Sequence, residues 1–162
     1  AGHNIEKKLN EFIGDHDDYS EILLKALADR LAEAFAERMH ERVRKEFWGY
    51  QEDEELTNEQ MIKEKYTGIR PAPGYPACPD HSSKPQLFDL LEASEKVSIH
   101  LTENFAMTPS SSVSGYYLSH ASSQYFGIGK INKDQVSDYA ERRGVSLEEA
   151  ERWLSSNLNY TR

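Results

Sequence analysis

The chain has 162 residues and a hydrophobic content of 38%, which suits one domain with a modest core. Its formal net charge of -9 excludes sequence-independent nucleic-acid binding, since that relies on clustered basic residues. No apolar run approaches the roughly 20 residues of a membrane span, and the first residues do not resemble a signal segment. The single cysteine, Cys78, excludes an internal disulfide, so we expect a cytoplasmic protein.

The N-terminal part of the chain is predicted to be helical. Residues 1–17 are mostly polar and are predicted to be a frayed end or the remnant of an expression tag. Over residues 18–47 apolar side chains recur every four positions, which predicts one long helix with an apolar stripe. Its charged residues are interpreted mainly as solvated surface, although Asp29, Glu33 and His40 could instead face a partner. The stripe consists of Leu27, Leu31, Phe35, Met39, Val43 and Phe47, and alanines widen it.

Two short helices are predicted on either side of a proline-rich stretch. Thr57-Asn-Glu-Gln60 has the pattern of a capping box and predicts a helix over 58–66. Ser83-Lys-Pro85-Gln86 has a candidate N-cap followed by a proline in the first turn, which predicts a second helix through Leu91.

The pattern then changes to period two, which predicts strands. Residues 99–107, 113–118 and 125–131 are predicted to form an antiparallel meander, with 119–124 as a hairpin loop. Helices are predicted over 133–142 and from a capping box at Ser146. The predicted fold class is therefore α+β: a long N-terminal helix and short helices packed on an antiparallel β-meander, followed by two C-terminal helices.

Residues 67–81, called the proline segment below, contain four of the six prolines (Pro71, Pro73, Pro76 and Pro79). Proline fixes φ and disfavours helix at the preceding residue, so the segment is predicted to be stiff and extended. Gly74 is predicted to be the point where another molecule approaches the backbone. With Arg70 at its entry and Tyr75 beside Gly74, the segment suits an elongated ligand that carries a carboxylate. A structural crossover between two layers is the alternative.

Other candidate sites have weaker patterns. Cys78 and His81 have the spacing of half a metal site, but no second cysteine pair exists. Prolines flank Cys78, which does not suit an activated nucleophile. No phosphate-binding glycine loop occurs. Four aromatic residues are interpreted as core or sheet-face residues: Tyr116, Tyr117, Tyr125 and Phe126. Alternatively, two of them at the end of a hairpin could stack on a purine or face a sulfonium.

The sequence from Gly68 to His81 (Gly-Ile-Arg-Pro-Ala-Pro-Gly-Tyr-Pro-Ala-Cys-Pro-Asp-His) resembles the S-adenosylmethionine-binding signature of the activation domain of cobalamin-dependent methionine synthases. The resemblance extends over nearly the whole chain, including residues 25–36, 40–44, 101–103, 112–115, 134–140 and 151–154. It implies that residues 1–162 are a single partial domain, the C-terminal part of that activation domain. The missing part supplies an acidic group for the ligand's amino group in the family, so the pocket of this chain is expected to be incomplete.

The resemblance also implies a function. In the family this domain binds S-adenosylmethionine and supports reductive methylation of inactive cob(II)alamin to methylcobalamin, within a 5-methyltetrahydrofolate–homocysteine methyltransferase. The implied ligand-binding residues are Arg70, Ala72, Gly74, Tyr75, Tyr125 and Phe126. Asp29 is the implied interdomain contact, no catalytic or metal-binding residue is assigned, and Tyr75 is expected near the cobalt face.

The resemblance implies partners as well. Cobalamin is expected to be held by another domain of the same enzyme, with flavodoxin or a related reductase as electron donor and no turnover from this chain alone. Two alternatives remain: a non-catalytic interaction module that docks on a cobalamin-binding protein, and a small metal-binding domain built on Cys78 and His81.

Overall fold

The computed structural model describes residues 1–161 of the chain. It begins with helix α1 (Glu6–Gly14), followed by helix α2 (Asp18–Arg42), which continues into a π-helical turn over Val43–Phe47. The Asp17 carboxylate caps α2 by accepting a hydrogen bond from the Ser20 amide at 3.0 Å. The predicted long helix is confirmed, and its last turn is wider than an ordinary α-helical turn.

The helices after α2 are short, and two of them begin at predicted caps that make the expected hydrogen bond, whereas the predicted Ser83 cap makes none. Helix α3 (Asn58–Ile62) has the predicted capping box of Thr57 and Gln60, although it ends earlier than expected. Helix α6 (Lys133–Arg143) stops at Gly144, whose φ of 68° favours glycine, and Ser146 caps the next helix, α7 (Leu147–Trp153). The remaining helices are α4 (Lys84–Leu91) and α5 (Ala93–Val97), with a 3-10 turn at Ser155–Asn157.

The sheet is smaller than the predicted meander. It is one antiparallel pair, β1 (His100–Leu101) with β2 (Met107–Thr108), so the α+β class is confirmed with a minimal β component. Residues 113–118 and 125–131 do not form the predicted strands. Their backbone groups bond instead to the proline segment, since Tyr116 donates to Pro71 and Ile128 donates to Pro76. Proline cannot donate, so the contacts remain isolated and no ladder extends from them.

The hydrophobic core with the most complete burial lies at the C-terminal end. Val136 and Ala140 of α6 pack with Ala150 and Leu154 of α7 and with Leu158. The strand-like bridge between Ile131 and Leu158 closes this unit. Side chains in α6 then connect it to the proline segment, which gives that segment a fixed support.

Helix α2 buries the alanine edge of its predicted apolar stripe and leaves the large side chains outside. Ala28 and Ala32 are buried, whereas Leu27, Leu31 and Phe35 are each more than half exposed. The prediction that the leucine–phenylalanine stripe packs within this chain is therefore wrong for these residues. The physical reason is that the small alanines allow the segment around Ser111 to approach the helix closely, and the large side chains remain on the outer face.

The N-terminal residues contain helix α1 and make contacts with distant parts of the chain. Helix α1 packs on α2, and the Ala1 ammonium donates a hydrogen bond to the Ser111 carbonyl at 3.0 Å. Gly2 is buried beside Pro109. Within residues 1–161, no helix combines the length and apolar character needed to cross a membrane.

Candidate functional site

The beginning of the proline segment is held on both sides of Arg70 by backbone hydrogen bonds. Ile69 exchanges two bonds with Leu118, at 2.9 and 3.0 Å, and the Tyr116 amide donates to the Pro71 carbonyl at 2.9 Å. Glycine is required where the two segments meet, because a Cβ on Gly68 would lie 2.3 Å from the Leu118 oxygen. The backbone of Arg70 is therefore fixed before any ligand binds.

The middle of the segment is a tight turn, which corrects the prediction of a continuously extended stretch. The Gly74 amide donates to the Cys78 carbonyl at 2.7 Å, and the Cys78 amide donates to the Tyr75 carbonyl at 2.8 Å. Gly74 has a φ of 99°, a conformation that L side chains rarely adopt. The turn makes Tyr75 project from the surface, and its side chain is 54% exposed.

The space beside Gly74 is filled by His81. A Cβ on Gly74 would lie 2.2 Å from Cε1 of the His81 ring. The prediction that Gly74 leaves its side-chain space to another molecule is therefore wrong, because the chain's own imidazole occupies it. The ring is held by Lys84, whose Nζ lies 2.9 Å from Nδ1. Burial, followed by the charge of Lys84, lowers the pKa of His81.

The Arg70 guanidinium turns from the segment towards helix α2. Its Nη2 donates to Oε2 of Glu37 at 3.1 Å, and the side chain is 22% exposed. Its Nη1 is buried and has no hydrogen-bond partner within the described chain. Oε1 of Glu37 is likewise buried without a partner there, so one donor and one acceptor of this ion pair remain unbonded.

A buried cluster of polar and aromatic side chains supports this arginine. His40 is fully buried, stacks on Tyr117 with 4.8 Å between ring centroids, and meets the edge of Tyr66 at 4.7 Å. Arg44 lies over Tyr66 at 4.3 Å and makes two hydrogen bonds to the Glu54 carboxylate, at 2.8 and 2.7 Å. Sequence reasoning placed Arg44 and Glu37 on a solvated face, and that interpretation is wrong.

The electrostatic character of the cluster follows from its burial. Desolvation, with smaller contributions from the nearby Arg44 and Arg70 charges, lowers the pKa of His40 to about 3. Burial also raises the pKa of Tyr66 to about 12. His40 is therefore neutral at physiological pH, and the positive charge nearest the surface belongs to Arg70.

A cleft of about 450 Å³ lies between α2 and residues 110–113. Tyr75 lines it together with Asp29 and Glu33, two of the residues predicted to face a partner. Asp29 is not free, since it accepts a hydrogen bond from the Ser111 hydroxyl at 2.5 Å. The structure thus brings Tyr75 and Asp29 to one cleft, whereas the third predicted residue, His40, is buried in the cluster below Arg70.

Tyr125 and Phe126 lie at the other end of the proline segment from Arg70. Both rings are exposed, and the loop that carries them approaches Pro76 through Ile128, whose amide donates to the Pro76 carbonyl at 3.0 Å. Ala72 lies between the two ends, and its carbonyl accepts from the Tyr75 amide at 3.2 Å. The loop of the aromatic pair therefore meets the proline segment at Pro76, six residues after Arg70.

The last residues of the segment anchor it to the C-terminal helices. The buried Asp80 carboxylate accepts from the amide and the hydroxyl of Ser82, at 2.7 and 2.6 Å, and from the Tyr139 hydroxyl. Burial raises the pKa of the Cys78 thiol, which disfavours the reactive thiolate. Among residues 1–161, no three His, Cys, Asp or Glu side chains come together to hold a metal ion.

These features define a class of protein: a small α+β domain in which a proline-rich segment is fixed between helix α2 and the C-terminal helices. Comparison with known proteins specifies the class. The family described as "Vitamin B12 dependent methionine synthase, activation domain" matches residues 1–144, and the chain therefore belongs to it. A solved structure, "Crystal Structure of the MetH Reactivation Domain bound to AdoHcy", is 55% identical with a TM-score of 0.91, and the match covers 96% of this chain. The chain spans about half of that structure's length (48%).

Proposed function

We propose that this chain binds S-adenosylmethionine along the edge formed by Arg70, Ala72, Gly74, Tyr75, Tyr125 and Phe126. The observation that carries the proposal is the buried Nη1 of Arg70, which has no partner within the described chain. Backbone hydrogen bonds of the two neighbouring residues, Ile69 and Pro71, hold Arg70 in place. A methionyl carboxylate supplies the acceptor that this edge of the guanidinium lacks. The 55% identity to a domain solved with AdoHcy, the demethylated form of the same ligand, supports the same assignment.

The other residues have roles that their geometry allows. Because the Gly74 amide is bonded to Cys78, Gly74 contributes its carbonyl to the ligand. Ala72 contributes the second lone pair of a carbonyl that already accepts from the Tyr75 amide. The exposed rings of Tyr125 and Phe126 offer faces on which a purine can stack or to which a sulfonium is attracted. Tyr75 projects from the turn and is exposed, and we assign it to the cobalt side of the cobalamin.

The reaction served is the repair of a methionine synthase, a 5-methyltetrahydrofolate–homocysteine methyltransferase of the cytoplasm. One electron from flavodoxin or a related reductase, together with the methyl group of S-adenosylmethionine, converts cob(II)alamin to methylcobalamin and leaves S-adenosylhomocysteine. The sulfonium is already a good leaving group, so the chain has to orient the ligand and needs no general base. Cobalamin is held by a partner domain with Asp29 near the contact, and this chain has no turnover of its own.

Replacement of Arg70 tests this function. Calorimetric titration with S-adenosylmethionine is expected to show binding that Arg70→Ala weakens by about 10- to 100-fold, the value of a lost charge-assisted hydrogen bond. Arg70→Lys should also bind weakly, since an ammonium cannot reproduce the planar guanidinium. Equal affinity in all three proteins would contradict the role of Arg70. No binding by the wild-type chain, both alone and with the missing part of the domain supplied in trans, would favour the interaction module.

We further propose that residues 1–162 are one part of a larger domain, and that the part they lack covers the outer face of α2. Tyr19, Leu23, Leu27, Leu31 and Phe35 recur every four residues on this face, and each is more than half exposed. A contiguous exposed apolar stripe of this kind marks an interaction surface. The solved chain is about twice as long as the region of it that this chain matches. We take the counterpart of its unmatched part as the segment that covers this face.

A double substitution on the stripe tests this arrangement. The wild-type chain, mixed with the part of the solved domain that it does not match, is expected to form a one-to-one complex in size-exclusion chromatography with light scattering. Leu27→Glu with Leu31→Glu should abolish the complex, because two buried carboxylates would be desolvated. Leu90→Glu is the control, since Leu90 is exposed on α4 and outside the stripe. Complex formation unaffected by the double substitution would refute the assignment of this face.

A further inference from the structure

We propose that Glu37 is a positioning residue for the ligand, because it fixes the Arg70 guanidinium so that its second edge faces the ligand carboxylate. This inference rests on the proposed function. The role of Glu37 is inferred from one contact between distant parts of the chain. Nη2 of Arg70 donates to Oε2 of Glu37 at 3.1 Å, across 33 residues of sequence. Glu37 itself is not required to touch the ligand.

Glu37 is suited to this role by the rigidity of its helix. It lies within the 25-residue helix α2, one turn before His40, whose ring is held between Tyr66 and Tyr117. Both carboxylate and guanidinium are mostly shielded, with 31% and 22% of their side chains exposed. An ion pair in such a position is screened less by solvent and salt than one on the open surface.

The geometry of the guanidinium explains why the pair aids a ligand instead of competing with it. Glu37 engages Arg70 through Nη2, while Nη1 is buried without a partner in the described chain. A planar guanidinium has separate edges, so one carboxylate can hold it while another binds. The backbone contacts of Ile69 and Pro71 fix the other end of the side chain.

The charges around Arg70 are already paired, so Glu37 contributes to binding by ordering the guanidinium and not by adding positive charge. Glu37 neutralises Arg70, and Glu54 neutralises Arg44, while the buried His40 contributes no charge. Without Glu37, the Arg70 guanidinium would be free to rotate towards solvent, and the ligand would have to order it on binding. Affinity is gained when such ordering precedes binding.

The test compares two ligands that differ only in the carboxylate. S-adenosylhomocysteine and its decarboxylated analogue, in which hydrogen replaces the carboxyl group, are titrated by calorimetry into the wild-type chain and into Glu37→Ala. We expect Glu37→Ala to weaken S-adenosylhomocysteine binding about 10-fold and to leave the affinity for the analogue unchanged. A defect in folding or packing would weaken the binding of both ligands equally. A loss of affinity for S-adenosylhomocysteine alone would therefore show that Glu37 acts on the carboxylate through Arg70.

Three further proteins complete the experiment. Glu37→Gln should retain part of the affinity, because its amide oxygen can still accept from Nη2. Glu41→Ala should behave as wild type, since Glu41 lies one turn further along α2 and pairs with Arg38. The double variant Glu37→Ala with Arg70→Ala should bind no more weakly than Arg70→Ala alone.

The outcomes separate this inference from the function on which it rests. Wild-type affinity in Glu37→Ala, beside a loss in Arg70→Ala, would overturn the role of Glu37 alone. Equal losses for both ligands would also overturn it, because the effect would not pass through the carboxylate. Failure of the wild-type chain to bind either ligand, both alone and with the missing part of the domain supplied in trans, would overturn the proposed function and, with it, the role of Glu37.

Discussion

Replacing Glu54 by alanine is expected to lower the free energy of unfolding by about 3–5 kcal/mol, because it leaves a fully buried guanidinium without its counter-charge. Arg44 has 0% of its side chain exposed and Glu54 has 6%, and their two hydrogen bonds are 2.8 and 2.7 Å long. Urea denaturation followed by circular dichroism measures the change. The loss should also loosen the support of His40 and Tyr66 beneath Arg70.

Two variants make this expectation specific. Glu46→Ala removes an exposed partner of Arg42 at 2.8 Å and should cost less than about 1 kcal/mol. Arg44→Met combined with Glu54→Leu removes both charges and should recover most of the stability lost in Glu54→Ala, since a buried pair can be replaced by apolar groups of similar volume. If Glu54→Ala proved no more harmful than Glu46→Ala, the pair would not be buried in solution.

Stability is expected to fall as the pH decreases from about 6.5, and His40 should account for a separable part of the fall. Burial first, then the charges of Arg44 and Arg70, lowers the folded-state pKa of His40 to about 3. The unfolded chain has the ordinary value of about 6.5 and therefore binds the proton more readily than the folded chain does. This contribution is complete above pH 6.5 and is lost between about pH 6.5 and 3, with a slope of at most about 1.4 kcal/mol per pH unit.

The measurement is the free energy of unfolding against pH for the wild-type chain and His40→Phe. Phenylalanine keeps a flat ring to stack on Tyr117 but cannot bind a proton, so its curve should be shallower below pH 6.5. His100→Gln, at an exposed histidine, should follow the wild-type slope. Parallel curves for wild type and His40→Phe would show that the pKa of His40 is not lowered in the folded chain, so that the folded and unfolded chains bind this proton equally well.

Local patterns in the sequence predicted most helix boundaries and caps. The capping box at Thr57 and Gln60, the Ser146 cap and the stop at Gly144 all depend on atoms a few residues apart, and each is present in the structure. The proline segment was also recognisable, because its motif is long and specific. The residues proposed to bind the ligand follow from that motif, and their binding stays a prediction.

The sequence by itself determined the long helix, the caps, the α+β class and the family. Only the tertiary structure decided that the alanine face of α2 points inwards, that residues 113–118 bond to the proline segment, and that His81 fills the space at Gly74. It also decided that Glu37 reaches Arg70 and that Arg44 is buried with Glu54. The physical reason is that burial and ion pairing at these positions depend on distant segments, whereas periodicity and capping depend on near neighbours.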